Sequence, residues 1–188
     1  MKSVLVIAHP DDESLFFGGL LLTQPGDWTI ICCSVPRRDS IRSWKFFDAC
    51  EAIGAKGRLI ASVEPEPGEP LPLEIMELFD LDGYDRIATH GAEGEYGHRH
   101  HLSLHEHIHK CYADKEIWSC CPPDKSDYDD RISLGEELLQ RKLSALKCYD
   151  HILPYEGLAM TKCEALIRRY CQNGPWDLSV EQYRIHRG

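Results

Sequence analysis

The stretch Val4-Leu5-Val6-Ile7-Ala8-His9-Pro10-Asp11-Asp12-Glu13 decides how this chain is read. Five consecutive apolar residues make a short strand buried on both faces, the kind found in parallel sheets. The chain then turns polar at once, with an imidazole, a stiff proline and three carboxylates. A strand that delivers a His and two Asp to the start of a helix carries the donor types of a divalent-metal site. Helix capping by Asp11 or Asp12 in front of Ser14 is the competing reading. Capping gives His9 no role.

Working outward, strand and helix signals alternate. Lys2 to Ala8, Trp28 to Val35, Arg58 to Val63, Tyr84 to Thr89 and Ile117 to Cys121 read as strands. Helices are expected over Ser14 to Thr23, from Asp39 or Ser40 to the stop at Gly54, over Leu73 to Phe79, from about His98 to Tyr112, near Leu134 to Tyr149, and over Thr161 to Gln172. The four prolines at 65, 67, 70 and 72 predict an extended loop from Glu64 to Pro72. This alternation predicts an α/β fold, Rossmann-like, with a mostly parallel sheet and helices on both faces. Ligands of such sheets collect beyond the carboxyl ends of the strands, where strand order reverses. His9, Asp11 and Asp12 follow the first strand, Arg37 and Arg38 the second, and His90 through His101 the fourth.

With 188 residues the chain fits one domain, 1–188. A hydrophobic content of 43% beside 28% charged residues describes an ordinary globular protein. No apolar run approaches the roughly 20 residues of a membrane helix. Met1-Lys2-Ser3 enters a strand directly, so a cytoplasmic location is expected. The nine cysteines are read as reduced, and the adjacent pairs Cys32-Cys33 and Cys120-Cys121 as small core residues. A net charge of -10 argues against nucleic acid, which requires positive surface, and favours a small-molecule partner. A homo-oligomer is compatible with the sequence.

A second motif runs His90-Gly-Ala-Glu-Gly-Glu-Tyr-Gly-His98-Arg-His-His101 and continues through His105, His107 and His109. On a helix His98, His101 and His105 share a face. One of them is the expected third metal ligand, and spacing alone does not choose. A solvated His-rich helix that stores or senses metal is the alternative.

Taken together, Ala-His-Pro-Asp-Asp-Glu after a strand and the later Thr-His…Glu-Tyr-Gly-His-x-x-His resemble the PIG-L/LmbE-like zinc-dependent deacetylases. These enzymes remove acetyl groups from N-acetylglucosamine derivatives and related amides. The resemblance implies Zn2+ as cofactor, with Fe2+ accepted by the same ligand types. It implies His9, Asp12 and His101 as ligands and Asp11 as general base toward the attacking water. His98 would be the cation that stabilises the oxyanion, and Tyr96 would approach the substrate carbonyl. Arg42 is a candidate for gripping substrate hydroxyl or phosphate groups, and His90 and His151 are candidates for lining the pocket. Two departures stand out. Arg99-His100 occupies the place where the family often has Pro-Asp or Pro-Gln, and Lys45 follows Arg42 where relatives tend to carry Glu.

The expected activity is removal of an acetyl group from an N-acetylated amino sugar or sugar conjugate. Hydrolysis of a non-sugar acyl or carbamoyl amide is the nearest alternative, because the site sees the carbonyl rather than the rest of the substrate. A non-catalytic sugar- or nucleotide-binding module is the other.

Overall fold

The computed structural model describes residues 1–24, 26–35, 40–60, 62–66, 68–76, 78–150, 152–155, 158–168 and 176–188. In chain order the elements are β1 (Lys2–Ile7), α1 (Asp12–Phe16), α2 (Gly18–Thr23), β2 (Asp27–Cys32), α3 (Ser40–Ile53), β3 (Lys56–Leu59), α4 (Leu73–Met76), β4 (Arg86–Thr89), α5 (Gly94–Gly97) and α6 (Arg99–Cys111). There follow β5 (Glu116–Cys121), β6 (Asp130–Ser133), α7 (Glu136–Lys147), β7 (Ile152–Tyr155), β8 (Leu158–Thr161), α8 (Lys162–Leu166) and β9 (Val180–His186).

Seven strands form one sheet in the order β3-β2-β1-β4-β5-β9-β6. The first five are parallel, and β9 runs antiparallel to both β5 and β6. The chain passes from β1 to β2 on one side and returns to β4 on the other. Strand order therefore reverses between β1 and β4, and the residues after these two strands, His9 and His90, come together at that point.

β1 is apolar throughout because it lies at the centre of a sheet covered on both sides. Leu5 and Ile7 pack with Ile30, Cys32, Phe46 and Leu146 under α3 and α7. Val4 and Val6 face the other way, onto Ile31, Cys33, Leu104 and Ile108 under α6. Cys32, Cys33, Cys120 and Cys121 are buried free thiols, in keeping with their reading as core residues. No helix among the described residues is long and apolar enough to cross a membrane.

Three expectations are corrected. The single helix over Ser14 to Thr23 is two helices, broken at Phe17 (φ −128°, ψ 1°). The third strand occupies Lys56–Leu59 rather than Arg58 to Val63. The C-terminal region contributes the strands β6 and β9 besides helices.

One buried network accounts for both the helix break and β9. Glu181 of β9 accepts the backbone N–H groups of Gly19 (2.6 Å) and Leu20 (2.9 Å) and so caps α2. Lys142 of α7 pairs with the same carboxylate at 2.6 Å, and the Tyr183 hydroxyl donates to it as well. A methyl group at position 19 would stand 2.8 Å from Glu181 Cδ, which explains the glycine. The charged β9 segment lacks strand-like hydropathy because its Glu faces inward to close this network.

Candidate metal centre and catalytic site

The turn after β1 is held in an unusual conformation. Asp11 adopts φ 109°, a value that side chains rarely accept. Glu13 holds it there: one carboxylate oxygen accepts the Asp11 N–H at 2.9 Å, and the other accepts the hydroxyls of Ser14 (2.7 Å) and Tyr149 (2.8 Å). Arg42, reaching from α3, donates to the Pro10 carbonyl and to Asp11 Oδ1. The turn is thus braced from α3 and from Tyr149 just beyond α7, and Asp11 and Asp12 are aimed by the fold.

Three ligand-type atoms converge beyond this turn. Nδ1 of His9 lies 3.3 Å from Oδ2 of Asp12 and 3.2 Å from Nε2 of His101, and the last two are 3.4 Å apart. All three residues are buried. Neighbouring ligands of a tetrahedral ion with bonds of about 2.0–2.1 Å stand about 3.3 Å apart. The triangle therefore fits Zn2+ without rearrangement.

The protonation pattern fits too. Burial opposes charge on Asp12, yet His101, His9 and His90 hold its carboxyl well below the usual range, so it is a carboxylate. His101 Nδ1 donates to Oε2 of Glu95, which turns the Nε2 lone pair toward the triangle. Glu95 is buried, but His90 and His101 hold its carboxyl far below the ordinary value. It also accepts the Gly91 N–H at 2.9 Å. Glu95 is a positioning residue that the sequence reading left without a role. Its signal is the glycine-studded turn: Gly94 (φ 58°), Glu95 (φ 57°) and Gly97 (φ 83°) all take positive φ.

His90 is corrected from a pocket-lining residue to an internal support. It is fully buried and stacked on His101 with ring centroids 3.7 Å apart. Its Nε2 accepts the Ala8 N–H at 3.0 Å, and its Nδ1 meets Glu95 at 3.0 Å. Arg42, expected to grip substrate, is turned onto Pro10 and Asp11. His151 lies outside the described residues.

His98 stands at the N-cap of α6, its ring 4.7 Å from those of both His9 and His101. Its Nδ1 accepts the His100 N–H at 3.3 Å, which leaves the ring proton on Nε2. Burial, then His9 and His101, push its pKa down to about 3. The lowered pKa and the hydrogen bond at Nδ1 favour a neutral N–H donor over the cation that the resemblance implies. Tyr96, 39% exposed, meets both His98 and His101 edge-on at 5.6 Å. On the far side of His9, Nε2 lies 2.9 Å from His100 Nδ1 and 3.2 Å from Glu64 Oε1.

No family model matches the chain. In sequence it is similar to the 1D-myo-inositol 2-acetamido-2-deoxy-alpha-D-glucopyranoside deacetylase of Corynebacterium diphtheriae, 22% identical over 166 residues that cover 64% of this chain and 57% of that protein. The enzyme of the same name from Corynebacterium efficiens is 23% identical over 150 residues, 58% of this chain and 48% of that one. The chain thus spans about half the length of the curated relatives it matches. Among solved structures, a deacetylase of teicoplanin biosynthesis superposes with a TM-score of 0.60 at 11% identity, covering 98% of this chain and 99% of that one. The 4-carboxy-2-hydroxymuconate hydratase of Pseudomonas putida superposes with a TM-score of 0.65 at 15% identity, covering 98% and 96%. Deacetylases and a hydratase share this fold, so the choice of chemistry rests on the site.

Proposed function

We propose that this chain, which resembles the PIG-L/LmbE-like deacetylases in its motifs and shares their fold, is a metal-dependent N-deacetylase acting on an N-acetylated amino sugar or sugar conjugate. The observation that carries the reading is the triangle of His9 Nδ1, Asp12 Oδ2 and His101 Nε2 beside a second, separately braced carboxylate, Asp11. A site that held metal only for structure has no use for that second carboxylate.

His9, Asp12 and His101 would hold the ion, with Zn2+ favoured by the donor set. When bound, it polarises the amide carbonyl and makes water acidic enough to attack near neutral pH. Asp11 accepts the proton of that water on its carboxylate, while Arg42 fixes the group through Oδ1. Asp12 is kept from this role because its Oδ2 would be a ligand atom and also accepts the His9 backbone N–H. His98, its ring 4.7 Å from those of His9 and His101, would donate Nε2–H to the oxygen that gains charge. Tyr96 flanks it at the rim. A cytoplasmic location, in keeping with the buried thiols, and a single domain over 1–188 belong to the same proposal.

The test is release of acetate by metal-free protein reconstituted with Zn2+, assayed on a panel of N-acetylated amino sugars, their conjugates and non-sugar acyl amides. Metal-dependent acetate release from a sugar is the expected result. Turnover confined to non-sugar amides would move the reading to the alternative substrate class, and no hydrolysis of any amide would defeat it.

A further inference from the structure

We infer that His9 serves two cation positions, and that a second divalent ion binds on its outer side among His9 Nε2, Glu64 and His100, with His98 at its edge. The inference rests on the inner position proposed above, because His9 is shared. On the outer side His9 Nε2 is 2.9 Å from His100 Nδ1 and 3.2 Å from Glu64 Oε1, and these two are 3.9 Å apart. The His98 ring lies 4.7 Å from that of His9 and 4.8 Å from that of His100. One ligand atom from each of the four residues falls within 4.8 Å of all the others. Two imidazoles and a carboxylate, from His9, His100 and Glu64, suit a borderline ion such as Zn2+.

Two features separate this cluster from simple orientation of His9 by a carboxylate. Orientation requires one acceptor for the Nε2 proton, and Glu64 alone meets that need. His100 is nonetheless fully buried beside it, and its own Nε2 has no hydrogen-bond partner among the described residues. A buried imidazole with an unmet nitrogen costs stability unless a ligand uses the ring. The second feature is the placement of the departures noted in the sequence. His100 stands where relatives often carry Asp or Gln, and Glu64 opens the proline-rich stretch. Both converge on the same face of His9.

Coordination at Nε2 displaces the His9 ring proton to solvent, so that the ring carries one ion on each nitrogen and no electron changes hands. Glu64 and His98 are half-buried, so the outer position opens toward solvent.

The test titrates the metal-free full chain with Zn2+ alone by calorimetry and with Co2+ alone by visible absorption. About two ions per chain are expected for the wild type, and about one for both Glu64→Gln and His100→Asn, with the affinity of the remaining ion unchanged. His9→Ala should remove both. Thermal unfolding of each variant confirms the fold, and Glu64, being half-exposed, is the substitution that leaves packing intact. A wild type that takes one ion overturns the outer position, as does a second ion that survives both substitutions, the result that the exposed part of the His-rich helix would produce. A single ion that merely binds more weakly in Glu64→Gln also overturns it and assigns Glu64 to orientation. Asp12→Asn separates the two readings. If wild type binds one ion and Asp12→Asn abolishes it, the inner reading stands and only the outer one falls. With two ions in the wild type, Asp12→Asn should keep one, the outer, and two ions retained in Asp12→Asn would defeat the inner reading and, with it, a shared His9.

Discussion

At the scale of single residues, the two adjacent aspartates have separable jobs. Asp12→Asn should abolish binding at the inner position. Asp11→Asn should retain the metal and lower kcat by roughly 10²–10⁴-fold, the usual contribution of a positioned base. Metal content and turnover measured on the same preparations check both, and loss of metal in Asp11→Asn would contradict the division. Glu95→Gln weakens the acceptor on His101 Nδ1, and supports of this kind typically contribute 10–100-fold to metal affinity. Competition with a chelator measures the effect, and unchanged affinity would leave Glu95 with a purely structural task. That His9 and the two aspartates after it carry metal-ligand chemistry was readable from residue type and order, while the choice of Asp12 over Asp11 came from the resemblance. The roles of Glu95, Glu64 and His100 were not readable, because each acts on a ligand that is distant in sequence or lies across a turn whose path depends on three positive-φ residues.

At the scale of elements, the site depends on how α1, α2 and α7 meet. Gly19→Ala places a methyl 2.8 Å from Glu181 Cδ and should destabilise the protein by about 1–3 kcal/mol in urea unfolding. Glu181→Gln leaves the Lys142 ammonium buried without its counter-charge and exposes two helix N–H groups to a poorer acceptor. Removing one partner of a buried pair costs about 3–5 kcal/mol. A loss below about 1 kcal/mol in that variant would mean that the network is solvated in solution. The Gly18-Gly19 pair was readable as a point of close approach. That a glutamate 162 positions away fills the space was not, since a polar segment carries no hydropathic mark of the charge it buries.

For the molecule as a whole, pH should act on stability through the second histidine group, away from the metal. His109 faces His105 from its own helix, His186 and Arg184 from β9, and Ser119 from β5. Burial first, then His105 and His186, lower its pKa from 6.5 to about 4. The unfolded chain takes up this proton near pH 6.5 and the folded chain only near 4. The stability present above pH 6.5 therefore falls as pH drops through that window. Thermal midpoints between pH 4 and 7 should decline less steeply in His109→Gln, and an unchanged slope would exclude this source. The sequence by itself determined the alternation of strands and helices, the buried central strand and the residue types of the metal triangle, because hydropathic period and ligand chemistry are local properties. Only the tertiary structure decided the antiparallel edge of β9 and β6, the inward turn of Arg42 and His90, and the surroundings that lower the pKa of His98. Each of those depends on which charges and hydrogen-bond partners the fold brings close, and on how much water it removes from around them.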